Sequence, residues 1–285
     1  MSGRSIDARV SQRAFFGVSA LLFVVSAGVT IVDAASMSAM GEMPMPGGWT
    51  MSMTWMRMCG QTWPGVAASF LGMWGVMTVA MMLPSLVPML WRYREAVGGV
   101  GEMRLDWLTA LVGVGYFFVW SAFGMAVFPL GVALAALEME VPALARAVPL
   151  AVGVIVLIAG ALQFTAWKAH HLACCRAAPG YCLMVPVSLM SLMSPASPAS
   201  PALPADAATA WRHGLRLGLH CCYCCAGLTM VLLVLGMMDW RVMAVVTAAI
   251  TVERLAPRGE RVARVIGVGV VGAGLVLIAR AVGPG

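Results

Sequence analysis

Long apolar runs follow one another along most of the chain and are separated by shorter polar stretches. A helix needs about 20 consecutive apolar residues to cross the hydrocarbon core of a bilayer. The pattern predicts an all-α fold, a polytopic transmembrane bundle of about seven helices. The predicted helices cover residues 14–32, 65–91, 107–128, 149–167, 213–236, 238–256 and 265–279.

Two longer polar segments divide this pattern. We interpret residues 35–64 as a Met-rich outer loop that Gly and Pro keep irregular. Residues 168–212 are interpreted as a cytoplasmic linker, with a centre rich in Pro, Ser and Ala. We expect a single membrane domain over residues 1–285, with helices two to four in 65–167 and helices five to seven in 213–282.

The composition agrees with burial in lipid. Hydrophobic residues make up 61% of the chain and charged residues only 11%, whereas a soluble domain carries roughly 25% charged residues. So few charges cannot cover a water-facing surface. The first apolar run, residues 14–32, also loosely resembles a secretory signal, but its length favours a retained helix.

Basic residues determine the predicted orientation, because cytoplasmic loops of membrane proteins carry an excess of Lys and Arg. With a cytoplasmic N-terminus, the outer side holds only Arg57, Arg146, Arg241 and Arg280 of the 18 basic residues. We therefore predict a multi-pass protein of the bacterial inner (plasma) membrane, with the lipid bilayer as one partner.

Several function classes lack their sequence signatures. No basic patch is interleaved with aromatic residues, so we expect no nucleic acid partner. The sequence contains no Gly-rich phosphate-binding loop and no nucleophile elbow. We therefore expect no nucleotide partner and no enzymatic activity.

The most specific chemical feature is the run HCCYCC at residues 220–225, within the fifth predicted helix. Residues three and four apart share a helical face, so Cys221, Cys224 and Cys225 converge and His220 lies beside Cys224. Thiolates select Cu(I) or zinc, so we predict a soft-metal site here, with Cys222 as a further ligand. The alternative is that these cysteines are small apolar packing residues.

Methionines are concentrated in the outer loop, where eight of the 24 lie between residues 37 and 58. Thioethers bind Cu(I) without losing a proton and are poor zinc ligands, so this loop favours copper over zinc as the bound metal. The alternative is a loop that buries its methionines in lipid. The candidate ligands are Met51, Met53, Met56 and Met58.

A second group of methionines, Met73, Met77 and Met81, recurs every four residues in the second predicted helix. Such a stripe is able to pass a soft ion inward from the loop, although the spacing is equally typical of packing. Pro84 follows closely and frees a backbone carbonyl.

The run KAHHLACCR, at the cytoplasmic end of the fourth predicted helix, is a candidate for a second metal site or an exit port. If the helix continues, His171, Cys174 and Cys175 share a face. The alternative is an interfacial basic cluster with buried thiols. Further along, Glu253 is expected to be a structural partner of Arg254 or of a neighbouring helix.

Several segments together resemble a bacterial family of predicted metal-binding integral membrane proteins, which includes copper chaperones that serve polyphenol oxidases. The resemblance extends from about Met43 to the last helix, and the blocks AMMLPS and HCCYCC are its most specific parts. It implies a membrane-embedded copper-handling role with ligands from the methionine and cysteine blocks. The matching segments are MPGGWTMSMTWMRM, MWGVMTVAMMLPSLVPMLWRYREAVG, QFTAWKAHHLACCR and GLRLGLHCCYCCAGLTMVLLVLGMMDWRVMAVVTAAITVERLAP.

These observations favour a copper chaperone or supply protein that captures Cu(I) and passes it to a cuproenzyme or exchanges it with a periplasmic copper carrier. A transporter of Cu(I) or another soft metal is the first alternative, and it would need broken helices around its site. A membrane thiol redox protein and a structural subunit are further alternatives. Zinc remains the alternative metal.

Overall fold

Eight α-helices form in the part of the chain that the computed structural model describes, which is residues 2–39, 41, 43–57, 60–97, 99–176 and 205–283. They are α1 (Ser2–Ala39), α2 (Trp63–Val97), α3 (Glu102–Glu140), α4 (Pro142–Leu162), α5 (Ala166–Arg176), α6 (Ala207–Leu235), α7 (Trp240–Leu255) and α8 (Gly259–Val282). The predicted all-α fold is confirmed. Met58 and the centre of the predicted linker lie outside the described residues.

Six of the described helices, namely α1 to α4, α6 and α8, are long and apolar enough to cross a membrane, judged by length and composition. The helix α7 is shorter, with 16 residues, or about 24 Å at 1.5 Å per residue. It begins only at Trp240 because the Asp239 carboxylate accepts a hydrogen bond from the Arg241 backbone N–H and caps the helix. The structure thus contains six long candidate spans and one short helix where the sequence predicts seven spans.

The predicted fourth helix ends earlier than expected, and residues 168–176 of the predicted linker belong to a separate helix, α5. The helix α4 begins earlier than predicted, with Pro142 in its first turn, where a missing N–H costs nothing. It ends at Leu162, and α5 begins after a short turn in which the Thr165 hydroxyl accepts a hydrogen bond from the Lys168 backbone N–H. This turn frees α5 to pack across the bundle, where it contacts α6, α7 and α8.

The predicted outer loop contains a small folded hairpin. Strands β1 (Met43–Met45) and β2 (Trp49–Met51) pair in antiparallel fashion, with Met43 opposite Met51. The Trp49 indole donates a hydrogen bond to the carbonyl of Ala145, at 2.8 Å. The hairpin therefore packs against the junction of α3 and α4.

Close helix contacts depend on glycine. A β-carbon at Gly115 of α3 would lie 3.0 Å from the Trp211 carbonyl oxygen, and one at Gly218 of α6 would lie 2.9 Å from the Tyr116 carbonyl oxygen. Small residues allow helix backbones to approach in this way. The α3–α6 contact matters for function because α6 carries the HCCYCC run.

We expect Gly214→Ala to weaken this contact. A β-carbon at Gly214 would overlap the Val112 carbonyl oxygen, and overpacking typically costs about 1–3 kcal/mol. The melting temperature of the protein in detergent should fall. Gly113→Ala is the matched control, because no heavy atom lies within 4 Å of a β-carbon at that position. Equal melting temperatures for the two variants would contradict this description of the contact.

Candidate metal centre

Three cysteine thiols converge on one face of α6. The Sγ atoms of Cys221, Cys224 and Cys225 all lie within 4.8 Å of one another. The three residues are 0%, 2% and 1% exposed. We call this group the thiol triad. Its geometry follows from the sequence, since positions three and four apart meet on one helical face.

The spacing of the triad suits a single metal ion. The Cys224–Cys225 and Cys221–Cys225 sulfur distances are 3.6 and 3.8 Å. A metal–sulfur bond of about 2.3 Å with tetrahedral angles separates two ligand sulfurs by about 3.8 Å. The side chains therefore need little movement to bind one ion.

Two further sulfur atoms contact the triad from other helices. The Sγ of Cys175, on α5, lies 3.7 Å from that of Cys224. The Sδ of Met82, on α2, lies 4.0 Å from the Sγ of Cys221. Thiols and a thioether from α2, α5 and α6 thus form a soft donor set.

A buried cation lies against the triad. Arg254 is 2% exposed, and its Nη1 lies 3.2 Å from the Sγ of Cys221. The same nitrogen donates a hydrogen bond to the Ser85 hydroxyl at 2.9 Å. The Tyr116 hydroxyl lies 2.9 Å from the same sulfur. Among the described residues, no carboxylate forms an ion pair with Arg254, and its Nη1 contacts the Cys221 sulfur and the hydroxyls of Ser85 and Tyr116.

A buried ion pair fixes α5 against the triad. Lys168 and Glu253 lie 2.7 Å apart, with side chains 5% and 1% exposed. Lys168 also donates a hydrogen bond to the Cys224 carbonyl oxygen. The sequence predicts either Arg254 or a neighbouring helix as the partner of Glu253. The neighbouring helix α5 provides the partner, Lys168, whereas Arg254 contacts the Cys221 thiol.

The histidine predicted beside the triad has a different partner. The Nδ1 of His220 lies 3.0 Å from the Nδ1 of His171 on α5, and His220 is not part of the triad group. Partial burial, with the neighbouring His220 imidazole as the second cause, lowers the pKa of His171. The lowered pKa favours the neutral form of the His171 imidazole, which is the form that binds a metal.

The three residues of the predicted second site, His171, Cys174 and Cys175, do not form one group and have different neighbours. Cys175 joins the thiol triad, and His171 faces His220. Cys174 lies with its Sγ 3.8 Å from the Nε2 of His170. Cys222 is half-buried and packs against the main core outside the triad.

The predicted methionine ligands occupy two regions. Met77 and Met81 are buried in the same core as the triad, and half-buried Met73 packs against that core. Met51 is buried in the hairpin, with Met56 packed beside it. Met53 lies in the short 3-10 turn Met53–Trp55 that follows the hairpin. The stripe on α2 therefore extends towards Met82 at the triad.

Sequence reasoning assigned no site role to Met82, Ser85, Tyr116 or Arg254. Met82 directly follows Met81, the last residue of the methionine stripe on α2, so the sequence could have indicated Met82 as a further ligand. Arg254 is a charged residue at the end of an apolar run, which marks it as unusual. Nothing in the local pattern around Tyr116 identifies it, because its contact with Cys221 joins positions 105 residues apart.

The comparison with protein families agrees with this sulfur-rich centre. The model of the PpoB2 copper chaperone family matches residues 71–277. The chain belongs to this family. The resemblance to this family inferred from the sequence is thereby confirmed over residues 71–277, a range that contains the triad, Met82 and Arg254 but not the segment MPGGWTMSMTWMRM. No curated protein and no solved structure matches the chain.

We expect Glu253→Gln to destabilise this PpoB2 family member. Removing one partner of a buried ion pair leaves the other charge unpaired, which costs on the order of 3–5 kcal/mol. The melting temperature in detergent should fall strongly, whereas Glu260→Gln, at an exposed position of α8, should leave it unchanged. The double variant Lys168→Met/Glu253→Met should recover much of the loss. A double variant as unstable as the single one would contradict this role of the pair.

Proposed function

We propose that this PpoB2 family member holds Cu(I) at the thiol triad inside a membrane-embedded bundle and passes it to a cuproenzyme. The single observation that carries the proposal is the buried convergence of Cys221, Cys224 and Cys225. A copper chaperone must bind its ion selectively and release it by ligand exchange. Closely spaced sulfur ligands suit both requirements.

The donor set supports copper over zinc. The triad and its neighbours Cys175 and Met82 offer sulfur alone. Four thiolates also bind zinc, so the thiols alone do not distinguish the two metals. The Met82 thioether lies 4.0 Å from the Sγ of Cys221. Because thioethers are poor zinc ligands and good Cu(I) ligands, Met82 is the donor that favours copper.

The buried guanidinium supports a site that carries negative charge. Cu(I) bound by two or three thiolates forms an anionic complex, and Arg254 lies within 3.2 Å of one of the ligand sulfurs. Two opposite unit charges 4 Å apart attract by about 4 kcal/mol at an effective dielectric constant of about 20. Arg254 therefore strengthens metal binding without contributing a ligand.

The six helices that are long and apolar enough to cross a membrane support the proposed membrane setting. With the N-terminus in the cytoplasm of a bacterial cell, the hairpin faces outward and Arg212 and Arg216 of α6 lie inward. Cys221 follows Arg216 by five residues, or about 7.5 Å along the helix. Cys225 follows Arg216 by nine residues, or about 13.5 Å, so we expect the triad to lie in the inner half of the apolar layer.

Two of the three helices that supply sulfur to the site are continuous, which favours a chaperone over a transporter, although the turn between α4 and α5 is a break of the kind that transporters use. Transporter sites are typically surrounded by discontinuous helices. In this chain α2 remains helical through Pro84 and Pro88, and α6 is helical through the whole triad. A redox role fits less well, because it needs thiols that solvent reaches, and the triad is fully buried.

We expect the protein purified anaerobically in detergent to bind Cu(I) and Cys221→Ser/Cys224→Ser to lose it. The two substitutions remove two of the three thiols that define the site. Mass spectrometry of bound metal measures the outcome. Cys222→Ser is the matched control, since this residue belongs to the same run but lies outside the triad. A wild-type protein that takes up no added Cu(I), or a Cys222 variant that loses it equally, would refute the proposal.

We also expect Arg254→Met to weaken Cu(I) binding by about tenfold or more, because the compensating charge is removed. Arg254→Lys should keep most of the affinity. Competition with a colorimetric Cu(I) chelator measures the change. Arg264→Met, at an exposed position of α8, is the control. Equal affinities for the Arg254→Met and Arg264→Met variants, both folded by size-exclusion chromatography, would rule out the electrostatic role.

A further inference from the structure

The burial of the triad raises the question of how an ion reaches it. The three cysteines are at most 2% exposed, so an ion bound there is separated from water and from any partner protein. Ligand exchange needs a second set of donors within a short distance of the first. The contact between α5 and α6 contains such a set.

Two pairs of metal-binding side chains cross this contact, one helical turn apart. The thiol pair joins Cys175 to Cys224, with their sulfurs 3.7 Å apart. The imidazole pair joins His171 to His220, with their Nδ1 atoms 3.0 Å apart. Each histidine precedes its cysteine by four residues on the same helix. Both pairs therefore lie on the same two faces, separated by about 5–6 Å.

We infer that His171 and His220 form a second metal site, through which Cu(I) passes between the thiol triad and the protein surface. This inference rests on the proposed function. In the transfer, a bond from copper to the Cys224 sulfur breaks as bonds to the imidazole nitrogens form, and the ion remains Cu(I) throughout. The two helices thus supply adjacent sets of ligands for one ion.

The geometry of the imidazole pair is close to that of a bound ion. Metal–nitrogen bonds of about 2.0–2.1 Å at tetrahedral angles separate the two nitrogens by about 3.3 Å. The observed 3.0 Å requires an adjustment of a few tenths of an ångström. Neutral imidazole binds copper as well as zinc, so an ion leaving thiols is accepted there.

The imidazole pair is also nearer the surface than the triad. His171 and His220 are each half-buried. The His171 ring lies 4.9 Å from the rings of Trp167 and Tyr223, and these two side chains are 43% and 47% exposed. His220 also lies four residues after Arg216 and one helical turn before Cys224. The route from Cys224 through the imidazoles therefore leads from complete burial to a half-buried pair that is nearer the inner end of α6.

The test measures the rate at which copper-loaded protein gives Cu(I) to a chelator, followed by stopped-flow absorbance. We expect His171→Ala and His220→Ala each to slow transfer by about tenfold or more. The double variant should be no slower than either single variant, because the two imidazoles act as a unit. His170→Ala is the matched control, as its ring neighbours His171 but lies outside the Nδ1 pair, and it should transfer nearly as fast as wild type.

The equilibrium copper content of the same samples distinguishes a failure of this inference from a failure of the proposed function. The histidine variants should keep the copper content and melting temperature of the wild type, because the triad is intact. Variants that transfer copper at the wild-type rate would overturn the inference. Variants that lose the bound copper itself would overturn it too, since the histidines would then be triad ligands or structural residues. A wild type without copper would instead refute the proposed function, before any rate is measured.

Discussion

The packing of α5 against α6 is the contact on which the metal centre depends. It brings Cys175 to Cys224 and His171 to His220, and it covers the face of α6 that carries the triad. Lys168 holds the contact together, because its ammonium group donates to the Cys224 carbonyl and pairs with Glu253 of α7. Buried charges of this kind are costly unless every partner is in place. The ion pair therefore specifies one arrangement of three helices.

The triad and Arg254 form one electrostatic unit. Three thiols and a guanidinium lie together, each at most 2% exposed, and a buried charge is costly unless it is paired. A monovalent soft ion bound by thiolates gives a complex whose negative charge the guanidinium balances. Ser85 and Tyr116 hold this arrangement, since both contact Arg254 and Tyr116 also contacts Cys221. In the proposed function, this balance would allow the buried site to bind a metal without a carboxylate ligand.

Local periodicity predicted the parts of this structure that depend on residues close in sequence. The all-α fold and the convergence of Cys221, Cys224 and Cys225 follow from helical spacing alone. His220 was predicted beside the triad, but α5 supplies a closer partner in His171, which no pattern within one helix reveals.

Contacts between segments far apart in the sequence could not be predicted from helical spacing, for the same reason. Arg254 and Ser85 are separated by 169 residues, and their meeting depends on how α2 and α7 pack. The folded hairpin was also missed, because its strands span only three residues each and depend on support from α3 and α4. Propensity cannot specify such short strands without their tertiary partners.

The central claim is that copper is bound by sulfur of the thiol triad. X-ray absorption spectroscopy at the copper edge of the Cu(I)-loaded protein tests it most directly, because the spectrum identifies the atoms bonded to the metal. The structure predicts a first shell of sulfur, with the three triad thiols as its source, and a loss of sulfur from that shell in Cys221→Ser. A first shell of nitrogen and oxygen alone would contradict the claim and place the copper elsewhere in the protein.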